Sequence, residues 1–260
     1  MIGIIWGLTG ALFIGVSDGV ARVTTQRLSL TILIFFIMGT STLAMTVWLA
    51  LTSDWPKWDL YSWIVSILSG FLNIVALTLL YKALARGPVS VASPAASSFS
   101  IILVGLNVLA GQAFNVYQGI SAILVFFGIA MLTRQTTNHG AEEVYNTTWL
   151  RQTALLGLGA GATVAVRIFL AQEAVTVLGA FHALYLNRAA AFLLILLILC
   201  WALIDKRKHT WPTGSLLLLV IFQSILEMLG LGALLLGSLG DGRVGAAIGF
   251  SSFAAVSTIT

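Results

Sequence analysis

Two neighbouring stretches decide the fold: AFHALYLNRAAAFLLILLILCWALI, residues Ala180–Ile204, and GSLLLLVIFQSILEMLGLGALLLGSL, residues Gly214–Leu239. Each is long and apolar enough for a helix to cross about 30 Å of hydrocarbon. Each also carries an ion near its middle, Arg188 in the first and Glu227 in the second. Even low estimates put a charge at bilayer centre at about 2.5–3.5 kcal/mol. The two ions are therefore expected to face the protein interior, near one partner or one watery cavity. Such a chain is a candidate for moving something polar across a membrane.

Composition agrees with lipid as the solvent. Of 260 residues, 59% are hydrophobic and 8% charged, with a mean hydropathy of +1.02. Soluble domains carry about 25% charged residues, and a water-facing surface cannot be built from a third of that. The net charge of +4 is scattered over short connections, with no basic face and no aromatic–basic interleaving, so no nucleic-acid partner is expected. A lone cysteine, Cys200, lies in an apolar run and permits no internal disulfide. The first apolar run lacks a basic leader and a clear cleavage site, and is read as a retained helix.

Apolar runs of about twenty residues recur. Nine spans are expected: Ile2–Val20, Leu30–Leu51, Leu60–Leu84, Val89–Ala110, Val116–Leu132, Trp149–Ala171, Ala180–Ile204, Gly214–Leu239 and Val244–Thr260. Trp48, Trp55, Trp58, Trp149, Trp201 and Trp211 fall at or just beyond their ends, where an aromatic belt would sit. Residues 135–148 form the longest polar stretch and are read as a linker. It separates a first five-helix repeat, residues 1–134, from a second, incomplete one, residues 149–260.

The two parts share an order of elements. Leu84-Ala85-Arg86-Gly87-Pro88-Val89 and Leu239-Gly240-Asp241-Gly242-Arg243-Val244 are both tight glycine-containing corners, and small residues follow each. Five spans is an odd number, so a second copy would insert upside down, the plan of many transporters. After Gly87 the first repeat continues to Arg134, whereas the chain stops soon after Gly242. The ninth span is therefore expected to end within the membrane with the tenth missing, as in a truncated chain. The fold class expected is all-α, a membrane protein of two inverted five-helix repeats with the second incomplete.

Site candidates follow from charge and spacing. Gln223 and Glu227 share a helix face, as do Tyr185 and Arg188. If the seventh and eighth spans are adjacent, Arg188 could bind a carboxylate and Glu227 an amine or a coupling proton. The alternative is a structural ion pair locking two helices. Arg167, late in the sixth span, either snorkels to the interface or lines a vestibule. Asn73 shares a face with Ser66 and Ser69, and either ties helices together or lines a cavity. Asp18 and Arg22, four apart, are a structural pair or a gate. Tyr81 and His182 are read as interfacial residues. No His/Cys/Asp/Glu cluster has metal spacing, and no cofactor is expected.

Some of these residues carry a resemblance. Tyr81-Lys82-Ala83-Leu84-Ala85-Arg86-Gly87-Pro88 with its following Ser/Ala/Pro run, Gly119-Ile120 followed by Phe127-Gly128-Ile129, and Gly15-Val16-Ser17-Asp18 followed by Ala21-Arg22 resemble the EamA-type drug/metabolite transporter superfamily. The resemblance implies ten helices in two inverted bundles, in a bacterial plasma membrane. It also implies export or exchange of a small polar metabolite, such as an amino acid, without ATP. The chain departs from it at Gly111-Gln112, where members often have Gly-Glu. Counting Lys and Arg in the connections places the N-terminus outside, whereas the resemblance implies a cytoplasmic N-terminus, so orientation stays open. A non-transporting membrane protein or inactive fragment is the alternative. A membrane enzyme is less favoured, because no catalytic or phosphate-binding motif is present.

Overall fold

The computed structural model describes residues 2–112, 147–204, 210–239 and 242–250, with the isolated positions 116, 120, 124 and 252. Most of the expected fifth span, the linker up to residue 146, and the ninth span beyond Phe250 apart from Ser252 lie outside the described residues. Among the described residues the fold is all-helical. The helices are α1 (Ile2–Arg27), α2 (Leu30–Thr52), α3 (Leu60–Arg86), α4 (Val89–Ser97), α5 (Phe99–Leu109), α6 (Thr147–Ile204), α7 (Ser215–Gly237) and α8 (Arg243–Phe250). Five of them, α1, α2, α3, α6 and α7, are long and apolar enough to cross a membrane. The chain is a multi-pass membrane protein.

α6 is long enough to cross twice. Its 58 residues run helically except at Gly179, whose φ of 79° and ψ of 164° break it into two arms. A positive φ of this kind costs glycine little and other residues more. The expected connection at residues 172–178 is helical. Its polar residue Gln172 is fully buried: its side chain accepts from Asn107 Nδ2 (3.0 Å) and donates to Ser238 Oγ (2.8 Å). What reads as a loop is thus an interior bridge joining α5, α6 and the end of α7. The expected fourth span is interrupted at Ser98, where the regular ladder slips to Ser98 N–H→Ala95 O at 3.4 Å. The Ser98 hydroxyl donates to Ala95 O and the Ser100 hydroxyl to Ser97 O. Serine side chains that compete for helix carbonyls in this way bend helices.

Helix ends follow the local chemistry. Asp59 caps α3, accepting from Ser62 N–H (2.9 Å) and Ser62 Oγ (2.5 Å). At the other end Gly87, with φ 62°, closes α3 by donating to Ala83 O. The Gly87 carbonyl accepts from Thr153 Oγ1 (3.0 Å) and Trp149 Nε1 (3.2 Å), and the Arg86 guanidinium lies 3.8 Å over the Trp149 ring. The corner after α3 is thereby fastened to the start of α6.

Small residues set how closely the helices approach. A β-carbon on Gly70 of α3 would lie 2.4 Å from Asn187 O of the second α6 arm. On Gly157 of the first arm it would lie 2.9 Å from Ala92 O of α4, and on Gly7 of α1 it would lie 2.3 Å from Ala246 O of α8. Membrane helices cannot gain from leaving lipid for another apolar surface, so close backbone packing of this kind supplies much of their association. α1 packs chiefly along α7 and α8, and α3 chiefly along α6. Large apolar side chains such as Leu43, Trp48, Leu51, Leu197 and Leu218 remain on the outside, facing the hydrocarbon.

Candidate functional site

The middle of the bundle encloses a cavity whose walls come from α1, α3, α4, α5, the first arm of α6, α7 and α8. Its lining includes Ser17, Asp18, Tyr81, Arg167 and Glu227 among apolar residues such as Ile14, Leu77, Leu80, Val164, Phe99 and Phe250. The cavity volume is about 50 Å³. The cavity is narrow as it stands, and a metabolite-sized solute needs the helices to part.

Each polar group is placed by a distinct packing feature. Glu227 sits near mid-length of α7 and is 5% exposed. Its Oε1 accepts from Arg188 Nη1 at 3.1 Å, while Oε2 has no hydrogen-bond partner among the described residues. Arg188 comes from the second arm of α6 and is fully buried. It also donates to Met38 Sδ (3.4 Å) and, at 3.5 Å, to the Glu227 carbonyl. The two expected central ions do meet. Arg188, however, stands behind the carboxylate and is not part of the cavity wall, so its first role here is to hold Glu227.

Arg167 comes from the first arm of α6 and does line the cavity. It is 7% exposed, and its Nε and Nη1 have no partner among the described residues. Its backbone is fixed by Ser69 Oγ, which donates to Arg167 O at 2.7 Å and accepts from Asn187 Nδ2 at 2.7 Å. The snorkelling position considered from sequence is not adopted; the side chain stays inside the bundle.

Asp18 reaches the cavity from α1 beside Ser17, within electrostatic range of Glu227 and of Arg22 one turn on. Arg22 is outside the lining. Gln223 is fully buried next to the site without lining it. It accepts from Thr24 Oγ1 (2.9 Å) and donates to the Tyr81 hydroxyl (2.9 Å), so it orients the phenol that does. Asn73 is also fully buried away from the cavity, donating to Met38 Sδ at 3.5 Å. Tyr185 is half-buried on another surface of α6 and packs in the apolar core.

The sequence reading missed Tyr81 and the aromatic pair Phe99–Phe250, whose rings meet edge-on at 5.6 Å. Tyr81 lies in the corner motif but is only 2% exposed. Its distance from Gly87, more than one helical turn, was the available signal that it sits inside the interface. His182, at the Gly179 break, bonds Asp54 O at 2.8 Å through Nε2 and ties α6 to the connection between α2 and α3. Among the described residues, no group of three or more His, Cys, Asp or Glu side chains could hold a metal ion. Chemically the site offers carboxylates, one unpaired guanidinium and a phenol, in a cavity whose remaining surface is apolar.

Comparison with known proteins gives the context. The model of the EamA-like transporter family matches residues 1–134, just over half of the chain. A solved structure titled only "Crystal structure of protein" superposes with a TM-score of 0.73 over 99% of this chain and 86% of that one, at 17% sequence identity. At that identity the likeness shows the fold alone. No curated protein matches the sequence.

Proposed function

We propose, on the premise that the chain belongs to the EamA-like transporter family and so is a membrane transporter, that it is a secondary transporter moving a small polar metabolite through the central cavity. The observation that carries this reading is the set of Asp18, Arg167 and Glu227 lining one cavity inside apolar helices. Ionisable side chains at this depth are costly and mark substrate or ion pathways in membrane proteins. Glu227 is the principal polar contact, held in place by Arg188. Asp18 and Tyr81 complete the polar wall, and Gln223 orients Tyr81. A proton exchanged at Glu227 or Asp18 is the coupling ion, and the direction is export or exchange.

The architecture is two inverted repeats, residues 1–134 and 149–260 around the linker 135–148, with nine spans in this chain. Two matching pairs of contacts support it. Gly7 of α1 packs on Ala246 of α8 as Gly157 of α6 packs on Ala92 of α4. Likewise, the corner at Gly87 is bound to the start of α6, and the corner at Gly242 abuts Gly3 at the start of α1. Each small-residue helix thus lies on the first helix of the other repeat, which is the exchange an inverted pair produces.

The test is flux in proteoliposomes of Glu227→Gln and Asp18→Asn beside the parent, using exchange of a radiolabelled amino-acid mixture. The expected result is loss of flux in Glu227→Gln with normal insertion. Undiminished flux in both variants rejects this cavity as the pathway.

A further inference from the structure

We infer that Arg167 is an oxyanion anchor, and that the ligand of this cavity is an organic anion with a carboxylate-sized head on an apolar body. The inference rests on the cavity being a substrate site, and it names the substrate's chemistry.

Arg167 differs from Arg188, Arg243 and Arg86 in having no side-chain hydrogen bond or ion pair among the described residues. Arg188 has Glu227 at 3.1 Å, Arg243 has Glu173, and Arg86 has Trp149 and Gln152. Arg167 is 7% exposed yet leaves Nε and Nη1 without a partner among the described residues. A buried guanidinium in this state is costly unless something supplies acceptors. The cavity it lines is the place from which they can come.

The wall's own carboxylates do not supply them. Glu227 directs Oε1 to Arg188, and Asp18 lies one turn from Arg22 and within its field. Glu227 acts on Arg167 only through its field, with no hydrogen bond between them, and the two wall carboxylates face three guanidinium groups, those of Arg22, Arg167 and Arg188. Balance needs one further negative charge. The planar guanidinium, with five donors, matches the two oxygens of a carboxylate. The backbone that carries this side chain is also held, by the chain Asn187→Ser69→Arg167 O.

The remaining lining selects the body of the ligand. Ile14, Leu77, Leu80, Val164, Phe99 and Phe250 offer few polar partners. A strongly hydrated polyol would lose its water there without replacement. An aliphatic or aromatic chain would not.

The experiment is thermal stabilisation of the purified full chain in detergent by matched pairs, 3-phenylpropionate with 3-phenylpropionamide and hexanoate with hexanamide. The acids are expected to raise the Tm and the neutral amides not to. In Arg167→Gln, affinity for the acids should fall about 30-fold or more. The ligand-free Tm of that variant should hold or rise, since an uncompensated buried charge has gone; a residue that merely props α6 would lower it. Where Arg167→Gln fails to fold, Arg167→Lys is read instead, and a weakened acid response is expected because lysine lacks the planar fork. Equal shifts from acid and amide, no shift from either acid in the parent, or an undiminished acid response in the variant overturns the inference. Acid binding through Arg167 without flux would keep this inference and remove the transporter reading. Glu227-dependent flux that is indifferent to Arg167→Gln would do the reverse.

Discussion

Arg188 and Glu227 form a 3.1 Å ion pair between the second arm of α6 and the middle of α7, with the guanidinium fully buried and only one carboxylate oxygen engaged. The pair joins two membrane-spanning helices inside the bundle, where an unpaired ion is poorly tolerated. It is the contact through which the cavity wall depends on the packing behind it.

Removing one member of that pair should cost far more than removing both. Arg188→Ala is expected to destabilise by about 3–5 kcal/mol, because it strands a buried carboxylate. The double variant Arg188→Met/Glu227→Leu should regain most of that loss while abolishing flux. Thermal unfolding and flux on the same preparations check the split. A double variant no more stable than Arg188→Ala would show that the pair is not the source of the loss.

The phenol of Tyr81 is held by Gln223, which in turn accepts from Thr24. Tyr81→Phe should raise the substrate KM and lower the Tm modestly, since it removes a cavity hydroxyl and leaves Gln223 one donor short of a partner, at about 1–3 kcal/mol. Gln223→Leu should mimic it in flux but lose more stability, because Thr24 and Tyr81 both lose a partner. Concentration-dependent uptake separates the two effects.

Close helix contact predicts a sharp difference between glycines. Gly70→Ala places a methyl group 2.4 Å from Asn187 O, and no flexible side chain can yield there. A loss of about 1–3 kcal/mol is expected. Gly105→Ala has nothing within 4 Å of the new β-carbon and should be neutral or stabilising through helix propensity. Melting temperatures of the two variants in the same detergent test this.

The cap of α3 gives a pH signature. The hydroxyl and then the backbone N–H of Ser62 hold the Asp59 carboxyl below its ordinary value of 3.8. A folded pKa lower than the unfolded one stabilises above the unfolded value, and that stability is lost as pH falls through the folded one. Asp59→Ala should therefore lower the Tm at neutral pH, and the gap from the parent should narrow as pH drops below 3.8. Asp59→Asn should keep most of the cap, since asparagine caps nearly as well. Melting curves from neutral to acid pH measure it.

Much of this fold was legible because membrane helices announce themselves by length. The starts of α2 and α3 fall where the apolar runs predict them, and the pairing of Arg188 with Glu227 follows from two ions at matching depth in consecutive spans. Direction around each helix axis was harder to read. These helices are apolar on every side, so periodicity names no inner face, and Arg167 reads first as an interfacial residue and only second as a vestibule one until its neighbours are known. Tyr81 misled for the related reason that a tyrosine near a helix end is ordinarily a belt residue. The helical stretch 172–178 was missed because Gln172 and Glu173 look like loop residues, and only the partners Asn107, Ser238 and Arg243 show why they are tolerated inside.

The break at Gly179 acts as the origin from which both arms of α6 are counted. Arg167 lies twelve residues before it and Arg188 nine after. Each residue added within an arm turns everything beyond it by about 100° and moves it about 1.5 Å along the axis. Lengthening the second arm between Gly179 and Arg188 would rotate that guanidinium off Glu227 and, with it, Asn187 off Ser69, the hydroxyl that reaches the Arg167 carbonyl. One helix break thus sets two cations in a shared register, because Ser69 joins the arm that carries Arg188 to the arm that carries Arg167.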